Sequence, residues 1–449
     1  MAVVFDISRL LMRAGFDTPT GIDRFELSYA KWALGRFDRD VHFVAHGPFG
    51  HRSVAFDSAR ELIAYIIQKW NSKDATDEAA AISSLAHRIE RGSDHGPIVG
   101  DRGSRPVAAL RKSLRVLQSL PALCWSPSTV RPASLFIHVS HSQIDKASRY
   151  EWLTRRSCLP LFYLHDLIPL LRPEFCRAGE ASRHRNRIQT ILRLHRLIIC
   201  NSQTTARTLD EMAAQQGLAQ PFSAVLPPGL EDAFLNFDPA TRLRTRQPYY
   251  VCLGTIEPRK NHRLLLDVWR QLVERHGRQA PRLVIAGRRG WDNAHVFSSL
   301  DNHSAFQGTV IEAPGLTDRT IARLLAGAAG LLAPSHIEGY GMPLAEALAL
   351  GTPVIASNIR AHREVSRGNA VLLDTLDGIG WLSAVEAHAR RHQRVDSGEQ
   401  KHWTWNAHFN ALNRLLMSAN IAQSPVLPPA ADRLNSRSRQ GVQWQTTRC

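Results

Sequence analysis

Short aliphatic and β-branched runs recur along most of this chain, separated by stretches with apolar residues at helical spacing. Near the start, VVFDI (3–7) and VHFVA (41–45) bracket TGIDRFELSYAKWALGRF, where Ile22, Phe25, Tyr29 and Trp32 follow a helical period. This predicts strand, turn, helix, strand, with Thr20 and Asp23 as a near capping box. Residues 70–134 are poorer in pattern: NSKDATDE and RGSDHGPIVGDRGSRP read as loops. VAALRKSLRVLQSL (107–120) reads as a basic amphipathic helix, covering a core or touching a membrane surface.

Alternation then returns. LFIHV (135–139), LFYLHD (161–166), RLIIC (196–200) and SAVLP (223–227) read as buried strands. Asn201-Ser202 predicts a cap for a helix that ends at Gly217. The segment 227–248 is polar and turn-rich, and we place the domain boundary there. A second series follows: YYVCLG (249–254), RLVIAG (282–287), GTVIEAPG (308–315), GLLAPS (330–335), TPVIAS (352–357) and AVLLD (370–374), with helices expected at 261–276, 317–328 and 343–350. Strands alternating with helices imply parallel sheets built from βαβ units. The expectation is an α/β protein of two doubly wound domains facing a cleft. Residues 1–235 form the first and 236–420 the second, whose last helices are able to cross back. A Pro-, Ser- and Arg-rich tail, 421–449, is expected to be disordered.

Composition narrows the function classes. No run approaches the ~20 apolar residues of a membrane-spanning helix. MAVVFDISRLL, with Asp6 inside it, reads as a first strand and not as a signal peptide. Six cysteines without a C-x-x-C pair argue against a disulfide framework or a zinc site, and for a reducing cytoplasm. The net charge of +16 (Lys+Arg 56, Asp+Glu 40) favours anionic partners, or reflects only a solvated basic surface. No nucleic-acid-binding motif accompanies it, so a nucleic-acid partner is not expected.

Four stretches carry candidate chemistry. In HIEGYGMPLAEALALGTPVIAS a strand ends, a Gly-Tyr-Gly-Met-Pro turn follows, and a helix opens, with Glu338 and Glu346 on either side of the turn. Ligands of parallel sheets bind beyond the carboxyl ends of the strands, and a helix N-terminus favours phosphate. Carboxylates accept hydrogen bonds from hydroxyls. Acid, anion site, acid therefore matches a sugar, a diphosphate and a ribose. Alone, the two glutamates read more readily as a cap and a surface residue; the Gly-Tyr-Gly-Met-Pro turn and flanking strands reverse that. In GTIEPRKN (254–261), Gly254 leaves room at a strand end, and Arg259 and Lys260 sit where a helix dipole disfavours cations unless an anion offsets them. In FYLHDLIPLLRPEF, His165 ends a strand at the cleft, and His141 in HVSHSQ competes with it. In TPTGIDRF, Gly21 either admits a substrate or makes a tight turn; Arg288 in GRRGW is placed to reach a phosphate or a base. Gly-Lys-Ser/Thr loops, His-Glu-x-x-His and an aspartate pair suited to magnesium are absent, so no cofactor or metal is expected.

Taken together, EGYGMPLAEALALGTPVIAS, GTIEPRKN, LHDLIPLLRPE and PTGIDRFELSYA resemble the retaining glycosyltransferases of family 4, with the GT-B fold, and a bacterial surface-polysaccharide mannosyltransferase subgroup. The resemblance runs to about residue 416 and is weak in 50–134. It implies that Glu346 holds the ribose hydroxyls and Glu338 those of the donor sugar. Arg259, Lys260 and the backbone at Gly341 and Met342 would bind the diphosphate, and His165 would contact the donor sugar near the reacting carbon. Thr255 stands where some relatives carry an arginine. The implied donor is a GDP- or UDP-sugar, mannose first, and the implied acceptor a glycan or lipid-linked glycan. A cytoplasmic protein touching the anionic inner leaflet would fit the basic charge. A GT-B nucleotide-sugar epimerase and a non-catalytic glycan- or nucleic-acid-binding protein are the alternatives.

Overall fold

A computed structural model describes residues 2–47, 50–71, 75–92, 130–391 and 402–418. The basic helix expected at 107–120 and the tail after 420 lie outside the described residues.

The first sheet contains β1 (Val3–Asp6), β2 (Val41–Gly47), β3 (Gly50–Val54), β4 (Leu135–His138), β5 (Leu159–Leu164), β6 (Leu197–Cys200) and β7 (Ser223–Val225), in the order β3-β2-β1-β4-β5-β6-β7. Only the β2–β3 pair is antiparallel. The second contains β8 (Tyr249–Leu253), β9 (Arg282–Ala286), β10 (Val310–Glu312), β11 (Gly330–Ala333), β12 (Val354–Ser357) and β13 (Val371–Leu373), in the order β10-β9-β8-β11-β12-β13, all parallel. Each sheet reverses its strand order once, between β1 and β4 and between β8 and β11. A crevice opens at such a switch point.

Central strands such as β1, β6 and β12 are buried on both faces, as continuous aliphatic runs require in a helix-covered parallel sheet. The predicted capping box forms at the helix Gly21–Phe37, with Thr20 and Asp23 exchanging hydrogen bonds. Ser202 caps Gln203–Gln215 by accepting from the Thr205 N–H at 3.0 Å.

The structure corrects one expectation, the loop at NSKDATDE, and adds a strand where none was expected or excluded. GHRSV is the edge strand β3, and part of NSKDATDE opens a helix, Ala75–Arg91. That helix leaves the first domain: Ala81, Ile82, Leu85 and Ile89 enter the core around Tyr249, Val284 and Ile311. Arg282 Nε donates to Ile89 O at 3.2 Å and secures it. The helix Trp405–Ser418 crosses the other way. Its Leu412 lies in the first core, and Phe409 stacks on Trp32 with centroids 5.2 Å apart. Leu230 N–H donates to Trp403 O at 2.9 Å, and Leu230 bridges Thr404 in parallel. The chain leaving the first domain and the chain returning to it therefore run side by side.

Candidate active site

The second switch point gathers GTIEPRKN from the end of β8 and SHIEGYGMP from the end of β11. Lys260 Nζ lies 2.5 Å from Glu338 Oε1, and Arg259 Nη1 lies 2.7 Å from Glu338 Oε2. Ser335 Oγ also donates to Oε1, at 2.8 Å, and Glu257 Oε1 is 2.5 Å from Arg259 Nε. Burial alone would raise the Glu338 carboxyl, but Arg259 and Lys260 outweigh it and hold the group well below the usual carboxylate range.

The two cations do not open a helix. They sit in a short 3-10 turn, Pro258–Lys260, ahead of the helix His262–His276. Their local offset is therefore Glu338 and Glu257, not only an incoming anion. Gly254 has φ +135°, and a Cβ there would come 3.2 Å from Lys260 Cε, so the turn shapes itself around the lysine stem.

The helix Met342–Ala349 starts beside this cluster. Gly341 is its N-cap at φ +102°, and no side chain caps it. Pro343 has no N–H, and Leu344 N–H donates back to Gly341 O at 3.0 Å. The Gly341 and Met342 N–H groups make no hydrogen bond among the described residues, which leaves the positive end of the helix open to an anion. Buried His362 lies against Gly341, its Nδ1 3.0 Å from Ser357 O.

Glu346 is buried one turn into that helix, where burial pushes its carboxyl up to about 8. Its cationic partner, Arg24 of the first domain, stands 3.9 Å away and is itself bound to Asp318 at 2.6 Å.

The first domain meets this site through the tips of β5 and β6. His165 Nε2 lies 2.6 Å from Val139 O, and burial pulls its pKa down to about 4. The ring is thus neutral at pH 7, with Nδ1 as the acceptor. No hydrogen bond or ion pair joins His165 to Glu338 or Glu346 among the described residues. Its backbone carbonyl is what touches the second domain: a Cβ on Gly339 would lie 2.2 Å from His165 O. Ser202 Oγ donates to Gly339 O at 2.6 Å across the same seam. The competing His141 is buried with Nε2 3.0 Å from Tyr163 O, a structural position.

The remaining loop residues divide. Arg288 is engaged with Thr18 Oγ1 of the first domain, so its reach to a phosphate is not free. Gly21 is exposed, and nothing lies within 4 Å of a Cβ built on it. Its φ is not positive, and it opens the helix Gly21–Phe37. Sequence reasoning missed Arg24, Asp318, Glu257 and His362. Arg24 and Glu257 stood inside quoted motifs, but only the fold reveals their partners.

Two doubly wound sheets, parallel apart from the β2–β3 pair, with a cation-and-helix-end pocket at the second switch point, define the GT-B architecture. Residues 235–382 match the family model for Glycosyl transferases group 1. The O-antigen chain mannosyltransferase B of Escherichia coli is 32% identical over 34% of this chain and 38% of its own length. The serotype-specific mannosyltransferase WbdA of Escherichia coli is 25% identical over 60% of this chain and 34% of its own length. The chain thus spans between a third and two fifths of these relatives. Among solved structures, Anabaena Alr3699/HepE in complex with UDP and glucose shares the fold, with TM-score 0.56, 14% identity and coverage of 93% of this chain and 100% of that one. Sucrose-phosphate synthase from Thermosynechococcus elongatus does so at TM-score 0.55, 15% identity, and 94% and 100% coverage.

Proposed function

We propose that this protein is a retaining glycosyltransferase that moves a hexose, mannose first, from a nucleotide-diphosphate sugar to a hydroxyl of a glycan or lipid-linked glycan. The observation that carries this reading is the pairing of Arg259 and Lys260 with Glu338 beside the open helix end at Gly341 and Met342. Such a pocket suits a diphosphate leaving group without a metal, because fixed cations and N–H dipoles stabilise the charge as it develops. Glu346 would accept hydrogen bonds from ribose hydroxyls. Glu338 retains acceptor capacity on Oε2 for a donor-sugar hydroxyl, and His165 would face that sugar from the first domain.

In the step we envisage, the C1–O bond to the diphosphate breaks while a bond from the acceptor oxygen to C1 forms on the same face. The acceptor proton passes to the departing phosphate. The similarity to O-antigen mannosyltransferases supports mannose and a surface-polysaccharide acceptor, and the +16 charge supports peripheral contact with an anionic inner leaflet. No helix among the described residues is long and apolar enough to cross a membrane.

The test is nucleoside-diphosphate release from GDP-mannose and a panel of UDP-sugars, with and without a mannose-terminated lipid-linked acceptor. Acceptor-dependent release with the anomeric configuration kept is expected. Sugar isomerisation without acceptor, or inversion at C1, would overturn the reading.

A further inference from the structure

The first switch point, between β1 and β4, holds an acid with a different set of partners. Asp6 ends β1, and its Oδ1 accepts from the Ser8 N–H at 2.8 Å. Its Oδ2 faces three imidazoles: His138 Nδ1 at 3.1 Å, His51 Nε2 at 3.1 Å and His46 Nε2 at 4.0 Å. His46 and His51 are direct partners in the β2–β3 ladder, so one hairpin puts both rings on the same face. The four side chains are 1 to 4% exposed. Among the described residues no lysine or arginine pairs with Asp6.

We infer that Asp6, His46 and His51 form a binding site for a divalent transition-metal ion of the zinc type. Their ligand atoms all lie within 4.8 Å of one another. Zinc bonds of about 2.0–2.2 Å at tetrahedral angles put neighbouring ligand atoms ~3.3 Å apart, so small side-chain shifts complete the geometry. Two imidazoles and one carboxylate suit zinc, cobalt or iron and not calcium or magnesium. The outer contacts fit as well. His51 Nδ1 accepts from the Trp152 Nε1–H at 3.0 Å and lies 3.1 Å from Arg149 O, contacts that fix the ring with Nε2 facing Asp6. His138 steadies the Asp6 oxygen from the other side. The Tyr150 hydroxyl, 2.7 Å from His46 Nε2, stands beside the fourth position. A sugar hydroxyl would meet the same polar groups, but a site this buried admits an ion and not a sugar ring. The ion would offset the Asp6 charge and pin the β2–β3 hairpin to β1 and β4. This inference does not depend on the transfer reaction proposed above.

The test uses the tag-free full chain, stripped with chelator, loaded with Zn²⁺, dialysed and assayed by elemental analysis. The wild type is expected to retain about one equivalent that His46→Ala/His51→Ala loses, and Zn²⁺ but not Mg²⁺ should raise the wild-type Tm. The wild-type Co²⁺ complex, which needs no variant, should show visible absorption bands of low coordination number. A Co²⁺ spectrum like that of the aqueous ion, no zinc retained, or a full equivalent retained by the double variant would each overturn the site.

Discussion

The two switch points share a topology and differ in chemistry. At β8/β11 a buried glutamate is matched by two permanent cations, with the open end of a helix alongside. At β1/β4 a buried aspartate is matched by imidazoles, which carry charge only when protonated. The first arrangement sets two cations beside an open helix end and suits a ligand that arrives and leaves as an anion. Among the described residues no lysine or arginine pairs with the second, which suits an ion that stays. The same crevice of the same fold is thus specialised by which side chains end its central strands.

The sharpest way to break this contrast is to remove a fixed cation. Lys260→Ala should leave the fold intact and lower kcat about 10²–10³-fold, roughly 2.7–4 kcal/mol, the scale of losing one preorganised donor at a developing charge. Nucleoside-diphosphate release measures it, and a loss under about tenfold would detach the cluster from the leaving group. Next in size is the seam that joins the two halves. Gly339→Ala puts a methyl 2.2 Å from the backbone His165 O, with Asp166 Cβ at 2.9 Å and Asn201 Nδ2 at 3.1 Å. Overpacking of this kind costs about 1–3 kcal/mol. We expect a lower Tm or, if the domains part instead, a larger radius of gyration in scattering. An unchanged Tm together with an unchanged radius would mean that the seam is loose.

The contrast also explains what was legible from sequence. The second site is local: Arg259 and Lys260 follow one strand, Glu338 and Glu346 flank one turn, and both motifs end in recognisable helix starts. The first is not. Asp6, His46, His51 and His138 lie on four strands, and each alone reads as an ordinary core residue. The strand alternation after residue 134 was readable because buried parallel strands are continuous aliphatic runs. The helix Ala75–Arg91 was missed because its apolar face, Ala81, Ile82, Leu85 and Ile89, is completed by the other domain. The edge strand GHRSV has no apolar alternation, and its pairing comes from the hairpin.

A smaller effect compares two acids raised for the same reason. Burial pushes Glu26 in the first domain and Glu346 in the second from an ordinary 4.5 up to about 8. Between those values the folded chain binds more protons than the unfolded one, so their contribution to stability is full below about pH 4.5 and is lost as pH rises through 8. Each should steepen the decline by up to ~1.4 kcal/mol per pH unit. The clamped acids Asp6 and Glu338, both held low, act only in acid, where stability falls as pH falls. Denaturant unfolding at pH 6 and pH 9 should show a smaller pH difference in Glu26→Gln and in Glu346→Gln than in the wild type. Parallel curves would mean that neither acid holds its proton when folded.

The least destabilising change is the one that tells most about how the halves cooperate. Arg24 pairs with Asp318, and both are more than a quarter exposed, so Arg24→Gln should cost no more than ~1 kcal/mol. Yet Arg24 is the main influence opposing burial at Glu346. Without it the carboxyl should keep its proton to still higher pH. A ribose hydroxyl donates best to an ionised carboxylate, so donor affinity in the wild type should climb as pH rises through about 8. In Arg24→Gln the same climb should begin later, with Tm little changed. Donor-induced thermal stabilisation followed from about pH 6.5 to about pH 9.5 reads this shift. A midpoint that stays put in the variant would separate Arg24 from Glu346 and leave the first domain without electrostatic influence on that carboxyl.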